Sequence, residues 1–351
     1  MTALLVAPEL RTDLDVAAVR RARSRTVRRQ RLVVGGLWVA LLLAFGARVL
    51  LGDYTVTIPD FFRILTGTDI PGATYIVMDS KLPRALMGVL VGAAFGMAGA
   101  IFQTTLRNPL ASPDIIGISF GASAAAVVAI VLLGMQGGAV SAAAVIGAIG
   151  VAVVVRWTAG PSAGQRLVLV GIGVAAALQA VIQYVFTRVD EYEAQRVLRW
   201  LTGSVSSADW PTLRVLTLAM LVLVPVTALL ARSLRVTELG EDTAAALGVP
   251  VRRSELLLLL AVVLGAVAVA AAGPIAFVSF LAGPIARALN GGRATLLGSA
   301  LTGAVVVVAA DYVADYLLAD INFPVGVVTG AFGAPFLLWL LARGRTGRRV
   351  A

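Results

Sequence analysis

The chain has 351 residues, of which 59% are hydrophobic and only 14% charged, whereas an ordinary soluble domain is about one quarter charged. This composition excludes a soluble globular enzyme. Cysteine and histidine are both absent, which removes disulfides, thiolate chemistry and the histidine ligands of zinc and haem. Uncharged stretches recur at about 20 residues, the length that an α-helix needs to cross a bilayer, and they predict an all-α polytopic membrane protein.

An arginine-rich tail precedes the first predicted helix. Residues 1–31 carry eight arginines, and the apolar run 32–51 that follows is interrupted only by Arg48. No Ala-x-Ala type cleavage site follows this run, so we predict a retained helix rather than a removed signal peptide. The positive-inside rule places the tail in the cytoplasm. Nucleic-acid binding is the alternative interpretation of the tail, but a topology determinant is more common beside a spanning helix, and we expect no nucleic-acid partner.

The apolar segments predict about ten transmembrane helices. They lie at residues 32–51, 82–106, 115–133, 140–155, 167–186, 213–230, 256–272, 275–289, 294–317 and 324–341. The ambiguous region is 256–286, an uncharged stretch that contains Gly273-Pro274 and Gly283-Pro284 and could form one long span or two short ones. Both basic termini lie in the cytoplasm only if the number of spans is even, so we predict two helices that meet at Gly273-Pro274.

This topology places most of the arginines, spread over several loops, on the cytoplasmic side. We predict a single transmembrane domain at 32–343, between cytoplasmic tails at 1–31 and 344–351. The only lysine, Lys81, is not part of a glycine-rich loop that ends in Lys-Ser or Lys-Thr. The chain therefore has no P-loop of its own and cannot bind ATP in that way.

Two observations concern residues inside the predicted membrane region. Gly88, Gly92 and Gly96 recur every four residues, a pattern typical of close helix packing, although a helix that slides against its neighbour is an alternative interpretation. The carboxylates Asp114, Asp311 and Asp315 lie near predicted helix ends. Because ion-driven carriers usually keep ionisable groups near the midplane, this placement argues against secondary transport, although a sodium site made of backbone carbonyls stays possible.

Two polar segments are candidate functional sites. Residues 103–114, followed by Gly117, form a proline-rich reversal that a helix–loop–helix turn would explain. Its amides Gln103 and Asn108 nevertheless lie where a polar solute would pass, so we predict a translocation path at Gln103, Asn108, Pro109 and Gly117. Residues 238–250 predict two very short helices separated at Gly248. Such an amphipathic knob could be gripped by a soluble partner, although an ordinary surface loop is the simpler interpretation.

Ordered motifs from residue 79 onward resemble those of the FecCD-type permease subunits of importers for iron–siderophore complexes, haem and cobalamin. The matching motifs are Lys81-Leu-Pro-Arg84, Arg107-Asn-Pro-Leu-Ala111, Trp200 with Gly203-Ser204, Leu239-Gly-Glu241, Ala246-Leu-Gly-Val249, Gly273-Pro-Ile-Ala-Phe-Val278 and Phe323-Pro-Val-Gly326. The resemblance implies the type II ABC importer permease fold, a dimer around a translocation path, two cytoplasmic ABC ATPase subunits and an extracytoplasmic siderophore-binding protein.

The resemblance also implies roles for particular residues. Coupling to the ATPase falls on Gly240, Glu241, Ala245, Leu247 and Gly248. Lys81 and Arg84 fall at the outer rim, where basic groups of family members meet acidic residues of the binding protein, and such charge pairs steer docking. Snorkelling of the two side chains at a helix end is an equally good interpretation.

The sequence departs from the family pattern at two positions. Gly283-Pro284 stands where many members have Pro-His, and Asp315 stands where many have arginine. The reversed charge at Asp315 would make the outer rim asymmetric, so we expect a heterodimer with a related permease. The resulting prediction is a permease subunit for ferric siderophores in the cytoplasmic membrane, with lipid around it, no directly bound cofactor and ATP used by the partner. A cobalamin or haem permease and an ion-coupled carrier are the alternatives.

Overall fold

The computed structural model describes residues 8–160, 163–248, 250–318 and 322–346. The regular elements of this part of the chain are all helical. In chain order they are α1 (Pro8–Leu50), α2 (Ile58–Leu65), α3 (Ala73–Tyr75), α4 (Leu82–Thr105), α5 (Ile118–Val131), α6 (Gly138–Ala159), α7 (Ala163–Phe186), α8 (Glu191–Thr202), α9 (Trp210–Thr237), α10 (Glu241–Ala246), α11 (Val251–Ala272), α12 (Val278–Leu289), α13 (Leu296–Tyr316) and α14 (Val325–Thr346). A π-helical turn at Ile76–Lys81 joins α3 to α4.

Each of the ten predicted segments coincides with a helix. Seven helical stretches in the described residues are long and apolar enough to cross a membrane. They are Ala18–Leu50, Ala73–Thr105, Gly138–Ala159, Arg166–Phe186, Trp210–Ala231, Arg252–Ala272 and Leu296–Tyr316. The other three predicted segments coincide with shorter apolar stretches in the described residues, Ile118–Val131, Val278–Leu289 and Val325–Trp339. The all-helical membrane fold is therefore confirmed, whereas ten crossings stay a prediction.

Two helix boundaries bear on the predicted topology. The arginine-rich tail is not a separate segment from residue 8 onward, because α1 continues through it as one helix of 43 residues. The ambiguous stretch is divided as the sequence predicted. Helix α11 ends at Ala272, Gly273 has φ +71°, and α12 begins at Val278 after Phe277, which has φ +64°. A positive φ at both positions interrupts the helical path and turns the chain.

Helix α4 lies at the centre of the bundle, where it packs against α13, α11, α12 and α9. Helix α5 packs against α6 and α7 beside this core. Most of α4 is buried, whereas α1, α6, α7 and α9 are buried on one side only. Apolar side chains such as Leu42, Ile146 and Leu218 are exposed on these outer helices. Lipid is the medium that such faces require, because each lies on a stretch long enough to span.

The central helix approaches its neighbour at the predicted packing glycines. A Cβ atom at Gly92 would overlap the carbonyl oxygen of Gly303 on α13, and one at Gly96 would overlap the carbonyl oxygen of Ser299. At Gly88 the same atom would lie 3.2 Å from a methyl group of Val308. The two backbones are therefore in direct contact at Gly92 and Gly96, which requires glycine.

Candidate functional site

The predicted coupling segment forms a small projection, the knob, which we define as residues 239–248. Gly240 has φ +108° and precedes α10. Ala245 and Gly248 are exposed, and the Leu247 side chain is 63% exposed. Glu241 is the first residue of α10, and its side chain lies outside the described part of the structure. The knob thus presents a small apolar surface of the kind that a groove in a partner could cover.

One part of the knob prediction is wrong. The sequence predicted a second short helix after Gly248, but Pro250 instead caps α11, which begins at Val251. The membrane helix therefore starts directly behind the knob. Proline is compatible with this position because its fixed φ suits the start of a helix and the first N–H groups of a helix have no internal partner.

The knob contacts the proline-rich turn that follows α4. A Cβ atom at Gly240 would lie 3.3 Å from Arg107 Nη1, so the Arg107 guanidinium covers this glycine. Close by, Arg287 Nη2 on α12 donates a hydrogen bond of 3.4 Å to Thr104 Oγ1 and lies 4.0 Å from Glu238 Oε1. The C-terminal parts of α4, α9 and α12 therefore meet directly beside the knob.

Two predicted path residues have structural roles in the turn. Asn108 makes a hydrogen bond within it, and Gly117 connects it to α5. Asn108 Oδ1 accepts a hydrogen bond of 2.9 Å from the Leu110 backbone N–H, and Pro109 beside it is exposed. Gly117 is buried and directly precedes α5. These contacts explain the turn locally, and the path role of Asn108, Pro109 and Gly117 stays a prediction.

Gln103 is buried in this conformation, and its path role stays a prediction. Its side chain is buried, and Nε2 donates a hydrogen bond of 3.1 Å to the carbonyl of Phe280 on α12. A Cβ atom at Gly283 would overlap Gln103 Oε1. The glycine at 283, one of the two departures from the family pattern, therefore makes room for this amide, which joins α4 to α12.

A mainly apolar cavity of about 360 Å³ with a few polar side chains lies beside the same turn, between α5, α7 and the segment before α12. Asp114 lines it and accepts hydrogen bonds from the hydroxyls of Ser119 and Ser279, the latter at 2.6 Å. Gln179 and Gln183, one turn apart on α7, line it from the other side and are exposed. Amides on a spanning stretch are not expected to face lipid, so protein or water must cover this face of α7.

The sequence analysis missed Gln179 and Gln183. The signal that could have identified them is their spacing of four residues, which places two amides on one face of an otherwise apolar helix.

Four charged residues form an outer ion cluster, which we define as Arg48, Arg84, Asp311 and Asp315. Arg48 Nε lies 2.6 Å from Asp311 Oδ2, and Arg48 Nη2 lies 3.1 Å from Asp315 Oδ2. Arg84 Nη2 lies 2.8 Å from Asp311 Oδ1, and Arg84 Nη1 lies 3.0 Å from Asp315 Oδ2. Two cations and two anions thus neutralise each other inside the bundle and join α1, α4 and α13.

The two predicted docking residues, Lys81 and Arg84, have partners inside the subunit. Arg84 is buried in the outer ion cluster, and Lys81 is 3% exposed and donates to the carbonyls of Leu51 and Tyr54, at 2.7 and 2.6 Å. Both cations are therefore held within the subunit in this conformation, and their docking role stays a prediction. Asp315, on which the predicted rim asymmetry was based, is paired with Arg48 and Arg84 within the subunit, and the asymmetry stays a prediction.

These features define a polytopic helical membrane protein, and comparisons with known proteins give the same class. The chain is 39% identical to the ferric enterobactin transport system permease protein FepG of Escherichia coli strain K12, over 88% of this chain and 92% of that protein. It is 34% identical to FepD, a permease protein of the ferric enterobactin transport system in the same organism, over 90% and 96% of the two chains.

A solved structure has the same fold. It is described as a metal-chelate type ABC transporter in an inward-facing conformation, and it superimposes with a TM-score of 0.78 over 89% of this chain and 99% of that chain, at 25% identity. The sequence model of the FecCD transport family matches residues 39–343. The chain therefore belongs to the FecCD transport family.

Proposed function

We propose that the chain is the transmembrane permease subunit of an ABC importer that moves ferric siderophore complexes into the cell. The observation that carries this proposal is the similarity over nearly the full length to two permeases named for ferric enterobactin transport. The match to a structure described as a metal-chelate type transporter supports the same cargo class. The absence of cysteine and histidine from the sequence agrees with iron that arrives enclosed in a chelator.

The ATP would be hydrolysed by two separate cytoplasmic ABC subunits, and this chain would bind no cofactor directly. The sequence contains no P-loop, and the exposed apolar surface of the knob suits a groove in such a subunit. Movement of the knob would be transmitted through Arg107, which covers Gly240, to α4, and through the Glu238–Arg287 pair to α12. Coupling would therefore be mechanical, with Gly240, Glu241, Ala245, Leu247 and Gly248 at the contact.

The second permease subunit would be a related chain rather than another copy. FepG and FepD are different permease proteins named for one transport system, which supports this expectation. The exposed amides Gln179 and Gln183 suggest α7 as the side that faces the partner and the path. The heterodimer is refuted if this chain, purified with its ATPase, transports as a homodimer. An extracytoplasmic siderophore-binding protein would deliver the cargo from outside.

The protein would reside in the cytoplasmic membrane with both termini in the cytoplasm. The arginines of α1 that precede the apolar part of the helix support this orientation. In this orientation the outer ion cluster lies near the outer membrane face, and the knob lies in the cytoplasm, where the ATPase subunits would bind.

Uptake assays test the proposal directly. Cells that lack this chain are compared with complemented cells for uptake of iron-labelled siderophores and labelled cobalamin. Loss of ferric siderophore uptake that returns on complementation is the expected result. Normal iron uptake with lost cobalamin uptake would overturn the cargo, and normal uptake of both would overturn the importer.

A further inference from the structure

The surface of the bundle carries a deep groove between α1 and α9. Helices α4 and α13 form its floor, and it encloses a cavity of about 710 Å³. Trp38, Leu221 and Ala228 line its sides, and Ala93 and Ala304 line its floor. Small and large apolar residues alternate on the floor, and the lining as a whole is almost entirely apolar.

The groove continues into a second cavity of about 560 Å³ towards the cytoplasmic end of the same helices. The two cavities share Ala231, Leu296 and Leu297. The second cavity has a different chemistry, because its lining includes Gln30, Thr104, Glu238 and Thr295. The groove is therefore amphipathic along the bundle, with an apolar part between the membrane helices and a polar part at their cytoplasmic ends.

A buried hydroxyl in the apolar part has no partner. Thr227 is 1% exposed, lines the apolar cavity, and its Oγ1 makes no hydrogen bond within the described residues. Arg287 Nε, close to the polar cavity, is likewise buried without a partner in the described chain. Arg287 reaches that cavity through its contacts with Thr104 and Glu238. Because buried polar groups are normally hydrogen-bonded, these atoms indicate a polar ligand.

We propose that this groove binds one glycerophospholipid of the cytoplasmic leaflet with an ammonium headgroup, of the phosphatidylethanolamine type. An acyl chain would occupy the apolar cavity, and the headgroup would occupy the polar cavity. The two cavities join at Ala231, one helical turn from Thr227, so the Thr227 hydroxyl is positioned to donate to an ester carbonyl of the glycerol region.

The charges at the polar end select the headgroup. Glu238 is the charged residue among those that line this cavity, and its carboxylate would attract an ammonium group and repel an anionic headgroup. Arg287 does not line this cavity, but its Nη2 contacts Thr104 and lies 4.0 Å from Glu238, both of which do. A cation next to the carboxylate makes the polar end complementary to a zwitterion. The headgroup would then lie beside Glu238, two residues before Gly240 of the knob.

Lipid retention by the purified full-length chain tests this inference without any transport assay. The protein is reconstituted in nanodiscs that contain equal amounts of phosphatidylethanolamine, phosphatidylglycerol and phosphatidylcholine, released into detergent, and analysed by native mass spectrometry. One retained phosphatidylethanolamine per chain is the expected result.

Two substitutions on the same helix provide the matched comparison. Ala228→Trp places an indole in the groove, whereas Leu229→Trp changes a side chain that is 78% exposed and lies outside the lining. Ala228→Trp should lower retention at least about tenfold relative to Leu229→Trp, the factor that 1.4 kcal/mol of binding energy provides. Thr227→Val, which removes only the hydroxyl, should also lower retention, and Glu238→Gln should abolish the preference over phosphatidylglycerol.

Several results would overturn the inference. Equal retention by the Ala228→Trp and Leu229→Trp variants would exclude the groove as the lipid site. Equal retention of the three lipids by the unmodified chain would exclude the headgroup assignment. A crosslink from Ala228→Cys to another polypeptide in native membranes would make the groove a protein interface. None of these results changes the uptake experiment, so the lipid site and the proposed importer can fail separately.

Discussion

Arg48 Nη2 lies 3.1 Å from Asp315 Oδ2, and this pair joins α1 to α13 across 267 positions of the chain. Asp315 stands where the family pattern has arginine, so the substitution alone would leave two carboxylates, Asp311 and Asp315, one turn apart inside the bundle. Arg48 supplies the missing cation from a different helix. Buried charges persist when they are matched, and the outer ion cluster meets this requirement with two cations and two anions.

The first prediction concerns the cation that Arg48 supplies. Arg48→Gln should lower the free energy of unfolding by about 3–5 kcal/mol, because it leaves an uncompensated buried carboxylate. Arg48→Gln combined with Asp315→Asn should recover part of this loss, since the cluster is again neutral. The measurement is the thermal unfolding of the purified variants in detergent.

Arg63→Gln is the matched control for the Arg48 variant. Arg63 pairs with Asp60 at 3.7 Å, and its side chain is 68% exposed. Exposed pairs contribute at most about 1 kcal/mol, so this variant should unfold almost as the unmodified chain does. Equal losses for the Arg48 and Arg63 variants would contradict the role of the outer ion cluster.

The sequence predicted the helices well because membrane helices are determined by local properties. Hydropathy over about 20 residues identifies each helix without knowledge of its neighbours. The break at Gly273-Pro274 is local as well. The knob was identified in the same way, although its second helix was wrong because α11 begins close behind Pro250.

The sequence could not predict which polar residues are buried, because burial depends on residues far away in the chain. From the sequence alone, Gln103 is a candidate path residue. Its burial depends on Gly283, which is distant in sequence and packs against the Gln103 amide. From the sequence alone, Lys81 and Arg84 are candidate docking residues. In the folded chain Lys81 donates to the carbonyl of Leu51, and Arg84 donates to the carboxylate of Asp311. These pairings require the packed bundle and leave no signal within a single sequence window.

The second prediction concerns the exposed leucine of the knob. Leu247→Arg should reduce ferric siderophore uptake at least about tenfold, because an unpaired charge in an apolar groove costs more than the 1.4 kcal/mol that a tenfold loss requires. ATP hydrolysis by the partner should continue without transport. Uptake and hydrolysis are measured on proteoliposomes that contain the full importer.

Met135→Arg introduces the same charge at a partly exposed position on the opposite side of the membrane in the proposed topology. It should insert and transport as the unmodified chain does. Undiminished uptake by the Leu247→Arg variant would refute the placement of the coupling site, whereas loss in both variants would indicate a general effect of the added charge.

The third prediction concerns the contact between α4 and α13. Gly92→Ala should destabilise the protein by about 1–3 kcal/mol, because the added methyl group overlaps the carbonyl of Gly303 and the two helices must separate. Gly150→Ala on α6 is the matched control, since a Cβ atom there meets no atom within 4 Å. The control should be neutral or slightly stabilising, because alanine favours helix more than glycine does. Thermal unfolding of both variants measures the difference, and equal unfolding temperatures would contradict the close approach.

The fourth prediction concerns the hydrogen bond from Gln103 to the Phe280 carbonyl. Gly283→Ala should displace the amide, because the new methyl group occupies the position of Gln103 Oε1, and a buried amide left unpaired costs about 1–3 kcal/mol. Gln103→Ala removes the amide and makes room for that methyl group. The double variant should therefore be more stable than the sum of the two single losses predicts, a coupling that a double-mutant cycle of unfolding free energies measures. Strict additivity would show that Gly283 does not accommodate Gln103, and the missing proline at this position would then need a different physical explanation.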